Sequence, residues 1–181
     1  MRKLFMIALP MVLAAAPAAA QTTGTVAVDG QVAGRCLFTT PSATITIPEL
    51  AVQGTGASAG KLDAGTVNDQ TRTLKGWCNG SASTMAVEAE ALVNTDFAAA
   101  APTGFDKIVN YTATAVANDV EAVDSSIETG AGDGEVVGLF TGDVVVTLSA
   151  ASTPNTGLLI AGGYQGQVLV TLSPAAVATS D

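Results

Sequence analysis

The chain has 181 residues, 16 of them acidic and 7 basic, with no histidine and two cysteines. That balance argues against nucleic acid or anionic lipid as a partner, because an acidic surface repels both. The absence of histidine removes the commonest general base and every Ser-His or Cys-His pair, and two cysteines alone make a poor metal site.

Residues 1–20 have the layout of a secretory signal peptide. Arg2 and Lys3 open it, Leu4 to Leu13 form the apolar run, and Ala18-Ala19-Ala20 supplies an A-x-A cleavage site before Gln21. Pro10 and Pro17 interrupt a run shorter than the roughly 20 apolar residues of a membrane helix. The expected product is therefore exported, without membrane insertion, and long enough for one domain with a sizeable core. Without Arg2 and Lys3, five basic residues face sixteen acidic ones, a net charge near −11. Export also favours pairing of Cys36 with Cys78. Such a bridge closes a loop of about 43 residues, which the chain-entropy model values at roughly 4 kcal/mol.

The first patterned stretch, Thr25 to Cys36, alternates. Val26, Val28, Gly30, Val32, Gly34 and Cys36 share one face; Thr25, Ala27, Asp29, Gln31, Ala33 and Arg35 share the other. This is the pattern of a half-buried strand. A hairpin with a type I′ turn at Asp29-Gly30 is the local alternative.

Ala43 to Ile47 is a second short β-branched run, stopped by Pro48. The Gly/Ala/Ser-rich stretch 53–65 reads as a loop; it lacks the Gly-Lys-Ser/Thr ending of a phosphate-binding loop. Thr71 to Cys78 alternates again, turning Leu74, Gly76 and Cys78 inward and leaving Trp77 beside Lys75 and Thr73, where it is either a partly covered surface aromatic or a sugar-stacking residue.

Ser83 to Val93 puts Met85, Val87, Ala89, Ala91 and Val93 on one face and Glu88 and Glu90 on the other. Two carboxylates on one strand face can suggest glycoside hydrolysis, but they are the ordinary dress of a solvated strand. Phe105 to Val116 is a further strand, with Ile108, Tyr111 and Val116 as its core residues and a bulge near Val109-Asn110, where the alternation slips. Asn118 to Gly134, with Asp119, Glu121, Asp124, Glu128 and Asp133, reads as an acidic loop whose spacing matches no EF-hand. Three strand signals close the chain: Glu135 to Phe140, Asp143 to Ser149, and Gly162 to Pro174, the last with Tyr164, Val168, Val170 and Leu172 inward.

About seven or eight short strands, Gly-rich turns and no credible helix point to an all-β, antiparallel β-sandwich. Its last strand needs a second neighbour or remains an open edge.

The stretch Gly24 to Cys36 resembles the N-terminal extension of chaperone–usher pilins: alternating apolar residues, a glycine at one inward position, and a cysteine soon after. The stretch Ala161 to Pro174 is similar to the last strand of spore-coat-U-like and related fimbrial subunits, and the Cys36–Cys78 frame matches the disulfide of those families. The resemblance implies an incomplete immunoglobulin-like fold: residues 21–34 a donor-strand extension, residues 35–181 the sandwich domain. It implies Val26, Val28, Gly30 and Val32 as donor residues and Val168, Val170 and Leu172 as the lining of the accepting groove. The implied partners are copies of the chain or related pilins in a head-to-tail polymer, a periplasmic chaperone and an outer-membrane usher, with passage through the periplasm to a surface pilus and a possible role in adhesion. No cofactor, metal or enzymatic activity is expected. Two other arrangements stay open: a first strand folded back into its own sandwich, and a monomeric secreted or periplasmic module that binds a glycan through Trp77 or a cation through the acidic loop.

Overall fold

The computed structural model describes residues 22–175; the signal peptide expected over 1–20 and the tail beyond Ala175 lie outside them. The described chain falls into an N-terminal segment ending at Val32 and a body that starts at Ala33.

The body is nearly all β. In chain order it carries β1 (Cys36–Thr40), α1 (Ala64–Val67), β2 (Thr71–Cys78), β3 (Thr84–Asn94), β4 (Phe105–Asp106), β5 (Ile108–Ala117), β6 (Val120–Ser125), β7 (Glu135–Val136), β8 (Phe140–Ser152), β9 (Leu158–Leu159) and β10 (Tyr164–Ser173). The main strand order is β1-β2-β8-β5-β3-β10, all antiparallel, with β6 on β5 and β7 on β3; β4 and β9 form a separate parallel pair. β5 connects the two halves: Ile108 and Val109 pair with β3, and from Thr112 onward the strand runs between β8 and β6. The core packs Met85, Val87 and Ala89 of β3 with Val109, Tyr111, Ala113 and Ala115 of β5 and Val144, Val146 and Leu148 of β8.

Cys36 and Cys78 face each other across the β1–β2 ladder and are disulfide-bonded, with Cα atoms 4.2 Å apart. Their pairing fits the oxidising compartment that export implies. Among the described residues no helix is long and apolar enough to cross a membrane.

Several expectations need correction. Strand structure begins at Cys36, not Thr25: residues 22–35 belong to no strand, since beyond the Cys36–Cys78 pair a single backbone bond, from the Asn79 N–H to the Arg35 carbonyl, extends the β1–β2 ladder. Neither Asp29 nor Gly30 has the positive φ that a type I′ turn requires, so the hairpin alternative fails. Residues 43–47, between Pro41 and Pro48, form no strand either, although Ile45 and Ile47 are half-buried against the core. Among the described residues there is one short helix: α1 is a single turn that starts at the end of the 53–65 stretch expected to be loop, and its Gly65 N–H donates to the Asp63 carboxylate as a cap.

In β3 the inward phase holds from Met85 to Ala89 and then shifts, so that Leu92 and Asn94 turn inward and Val93 is 38% exposed. The cause is an extra residue in β3: Gln165 pairs with Val93 but Gln167 with Glu90. Gly166 sits opposite this bulge, where a Cβ would lie 2.7 Å from the Glu90 and Ala91 carbonyl oxygens.

The inward residues of β5 are Val109, Tyr111, Ala113, Ala115 and Ala117, whereas Ile108 is half-buried and Val116 is 38% exposed. The irregularity near Asn110 is real but its extra residue belongs to β8: Asn110 pairs with Ser152 and Thr112 with Ser149, with Ala150 at φ 51°. The side-chain carbonyl of Asn68 takes up the Ala151 N–H there.

The acidic stretch after Asn118 is also not all loop. Asn118 and Asp119, at φ 50° and 59°, make the tight turn that folds β6 back on β5. Asp124, buried on β6, accepts a 2.7 Å bond from the Ala89 N–H of β3, tying the halves together from the far side.

Replacing both cysteines with serine opens the Cys36–Cys78 loop and should lower the unfolding free energy by up to about 4 kcal/mol. Equilibrium urea unfolding checks this; an unchanged midpoint would show that the β1–β2 ladder holds without the bridge.

Candidate functional site

β1 and β10 are the two ends of the main strand order, and each has one hydrogen-bonded strand neighbour. Between them lies a cleft. One wall is β10 from Gly166 to Thr171; the other is Phe38 and the irregular chain Pro41–Ile45 with Ile47. The floor is made by Leu74 of β2, Val146 and Leu148 of β8, Leu92 of β3 and Tyr111 of β5, and the cavity has a volume of about 550 Å³. A second cavity of about 570 Å³ shares Ile45, Ile47 and Leu92 and continues along Leu159 to Tyr164.

The burial of the lining explains why this is a cleft and not part of the core. Fully enclosed core residues such as Met85, Val87, Val109 and Val144 have no exposed surface, yet Phe38, Ile45, Ile47, Leu74, Val168 and Val170 are only half-buried. Apolar side chains from both halves of the fold thus converge on a space that the body leaves unfilled, a situation that costs hydrophobic free energy.

Beyond Thr171, β10 packs close to β1 and β2. A Cβ on Gly76 would meet the Leu37 carbonyl oxygen at 3.1 Å, the Leu172 Cδ1 at 3.2 Å and the Phe38 Cδ1 at 3.2 Å. Val168 and Val170 line the cleft, whereas Leu172 is not part of its lining and packs over Gly76. All three expected acceptor residues lie on the same face of β10, in the expected phase.

Tyr111 braces the floor. Its hydroxyl lies 2.6 Å from the Glu90 carbonyl oxygen and 2.9 Å from that of Gln167, so one phenolic proton serves two carbonyls at the β3 bulge. Burial, reinforced by the nearby Glu90 charge, pushes its pKa up to about 12.

The expected donor residues lie in the segment ending at Val32. Val26, Val28 and Val32 are 86%, 90% and 80% exposed, and nothing stands within 4 Å of the position a Gly30 Cβ would take. Sequence alternation found β10 but missed most of the cleft. Phe38, Ile45, Ile47, Leu92, Val146 and Leu148 come from separate stretches of the chain and meet only once it is folded; of these, Phe38, Ile45, Ile47 and Leu92 are incompletely enclosed.

Other expected sites are more ordinary. Trp77 is half-buried in the sheet between Leu37 and Thr141. Glu88 and Glu90 stand on the outer side of β3, half-buried and exposed. Among the described residues no three carboxylate or cysteine groups are arranged to hold a metal ion. No protein-family model, curated protein or solved structure matches the chain.

Tyr111→Phe should cost about 1–2 kcal/mol at neutral pH, because the Glu90 and Gln167 carbonyls lose their donor. The tyrosine contribution also depends on pH. An unfolded tyrosine ionises near pH 10 and the folded one near 12; between these values the folded state holds the proton and the unfolded state does not. The contribution is therefore complete below pH 10 and lost as pH rises through 12. Urea unfolding of both proteins between pH 8 and 12 should show their difference shrinking above pH 10; a constant difference would contradict the assignment.

Proposed function

We propose that the chain is a structural subunit of a bacterial surface fibre, a pilin-like protein of the chaperone–usher and spore-coat-U-like type. Its body is an immunoglobulin-like sandwich that lacks a final strand, and the N-terminal segment of the next subunit supplies it. The observation that carries this reading is the half-buried apolar cleft beside β10, an edge strand with one paired side.

The β10 wall of the cleft, Gly166 to Thr171, spans about 20 Å when extended, and Val26 to Val32 spans about 23 Å, so the donor stretch is long enough to cover it. A donor strand along β10 satisfies its free backbone groups by β-augmentation, and each valine inserted is worth roughly 1.5–3 kcal/mol. Burial counts on both sides, since the lining of the cleft is covered in the same step. In this reading Gly30 is the donor position that enters the neighbouring subunit where no side chain fits. The contact is heterologous and does not close on itself, so repetition makes a fibre. In this reading a periplasmic chaperone covers the cleft before assembly and an outer-membrane usher exchanges it for the donor segment. The chain then acts by assembly, at the cell surface, with adhesion as a possible consequence, and without chemistry of its own.

Removing Gln21–Ala33 from the exported protein should leave a folded, soluble body and abolish fibres seen by electron microscopy. Fibres at normal yield would defeat the donor-strand reading. Gly30→Leu is the finer probe: circular dichroism of the monomer should be unchanged while polymer ladders on unheated gels disappear. Normal ladders would refute the role given to Gly30.

A further inference from the structure

The ladder between β1 and β2 does not stop at the disulfide. One step beyond the Cys36–Cys78 pair, the Asn79 N–H donates to the Arg35 carbonyl oxygen at 3.0 Å. In a regular antiparallel pair the Arg35 N–H would return a bond to the Asn79 backbone carbonyl. Here it donates instead to Asn79 Oδ1, at 2.5 Å, while Asn79 Nδ2 donates to the Ala33 carbonyl oxygen at 3.1 Å. The side-chain amide thus stands in for a strand where the backbone turns away toward Gly80, and carries the pairing on to Ala33. On the opposite side the same residues are confined by the chain just after β10: a Cβ on Gly34 would lie 2.9 Å from the Ala175 carbonyl oxygen.

We propose that Asn79 is a positioning residue for strand donation, fixing the root of the donor segment at Ala33–Arg35 so that the segment leaves the body extended and in a set phase. This rests on the pilin-like reading above. The phase matters because Cys36 and Gly34 are turned inward, and an extended chain held there continues the same alternation through Val32, Gly30, Val28 and Val26. A clamped root also leaves fewer residues to be ordered when the segment docks into another subunit, which speeds assembly. Asparagine meets the requirement because one planar group offers an acceptor to Arg35 and a donor to Ala33. Aspartate keeps the first bond and loses the second; alanine loses both.

The test separates donor from acceptor. Full-length Asn79→Ala should polymerise about tenfold more slowly than wild type, with Asn79→Asp in between and both monomers melting within a degree or two of wild type. In a second arm, a body lacking residues 21–32 should capture a synthetic peptide of residues 22–33 equally well with or without the Asn79→Ala substitution, because the cleft is untouched. Wild-type polymerisation of Asn79→Ala would overturn the proposal. Peptide capture falling in parallel with polymerisation would also overturn it, by showing a general structural role. If wild type neither polymerises nor captures the peptide, the pilin-like reading fails and this inference with it.

Discussion

An edge strand with an apolar face is the constraint around which this body is arranged. β10 is paired along β3 only, and its inward residues Val168, Val170 and Leu172 remain half-buried. A sheet can leave an edge unpaired or a face wet, but leaving both on one apolar strand is a hazard that proteins manage by covering it. The neighbouring elements sharpen the constraint. Pro41 and Pro48 bracket a chain segment that lines the far wall of the cleft without pairing across it, and the floor residues rise from other strands of the main sheet. The free edge and the cleft are thus one feature, seen once as missing hydrogen bonds and once as missing burial.

Small residues set how the two halves pack. Ala113, Ala115 and Ala117 of β5, Ala89 of β3 and Ala122 of β6 are all buried, so the interior is built on close approach rather than on bulk. Gly76 and Gly166 continue the theme at the cleft, where backbone or side-chain atoms occupy the space a Cβ would need. Phe38, Ile45, Ile47 and Leu74 stand at the cleft lining and are incompletely covered. The bulges serve the same geometry. The extra residue in β3 turns Leu92 into the cleft floor, and Tyr111 reaches up to quiet the carbonyls that the bulge leaves behind.

Period-two alternation makes β2, β3, β8 and β10 legible, because each buries one face against a regular neighbour. It misleads where the register shifts: Val93 and Val116 are large enough to be expected inside, yet a bulge sends one outward, and alanines take the inward positions beside the other. β6 is hidden because an exposed valine, Val123, stands outward beside Glu121 while an acid, Asp124, turns inward. Its inward residues, Ala122 and Asp124, carry little hydrophobic signal, and a buried aspartate bonded to a backbone N–H looks in sequence like any solvated carboxylate. The stretch from Thr25 shows the converse. Its alternation is as clean as that of β10, but alternation records a preference for a partner and cannot create one, and Val26, Val28 and Val32 stand exposed. The β10 wall of the cleft is legible because one strand carries it. The remainder is not, because it is assembled from residues far apart in the chain.

The most direct test of the account follows backbone amides rather than fibres. Hydrogen exchange should be measured on a body lacking residues 21–32, alone and with a saturating peptide of residues 22–33. The account predicts that outward-edge amides of β10 between Gly166 and Leu172 become protected on adding the peptide, while those of β6, at another edge of the fold, do not change. Exchange along β10 that is identical with and without the peptide would contradict it.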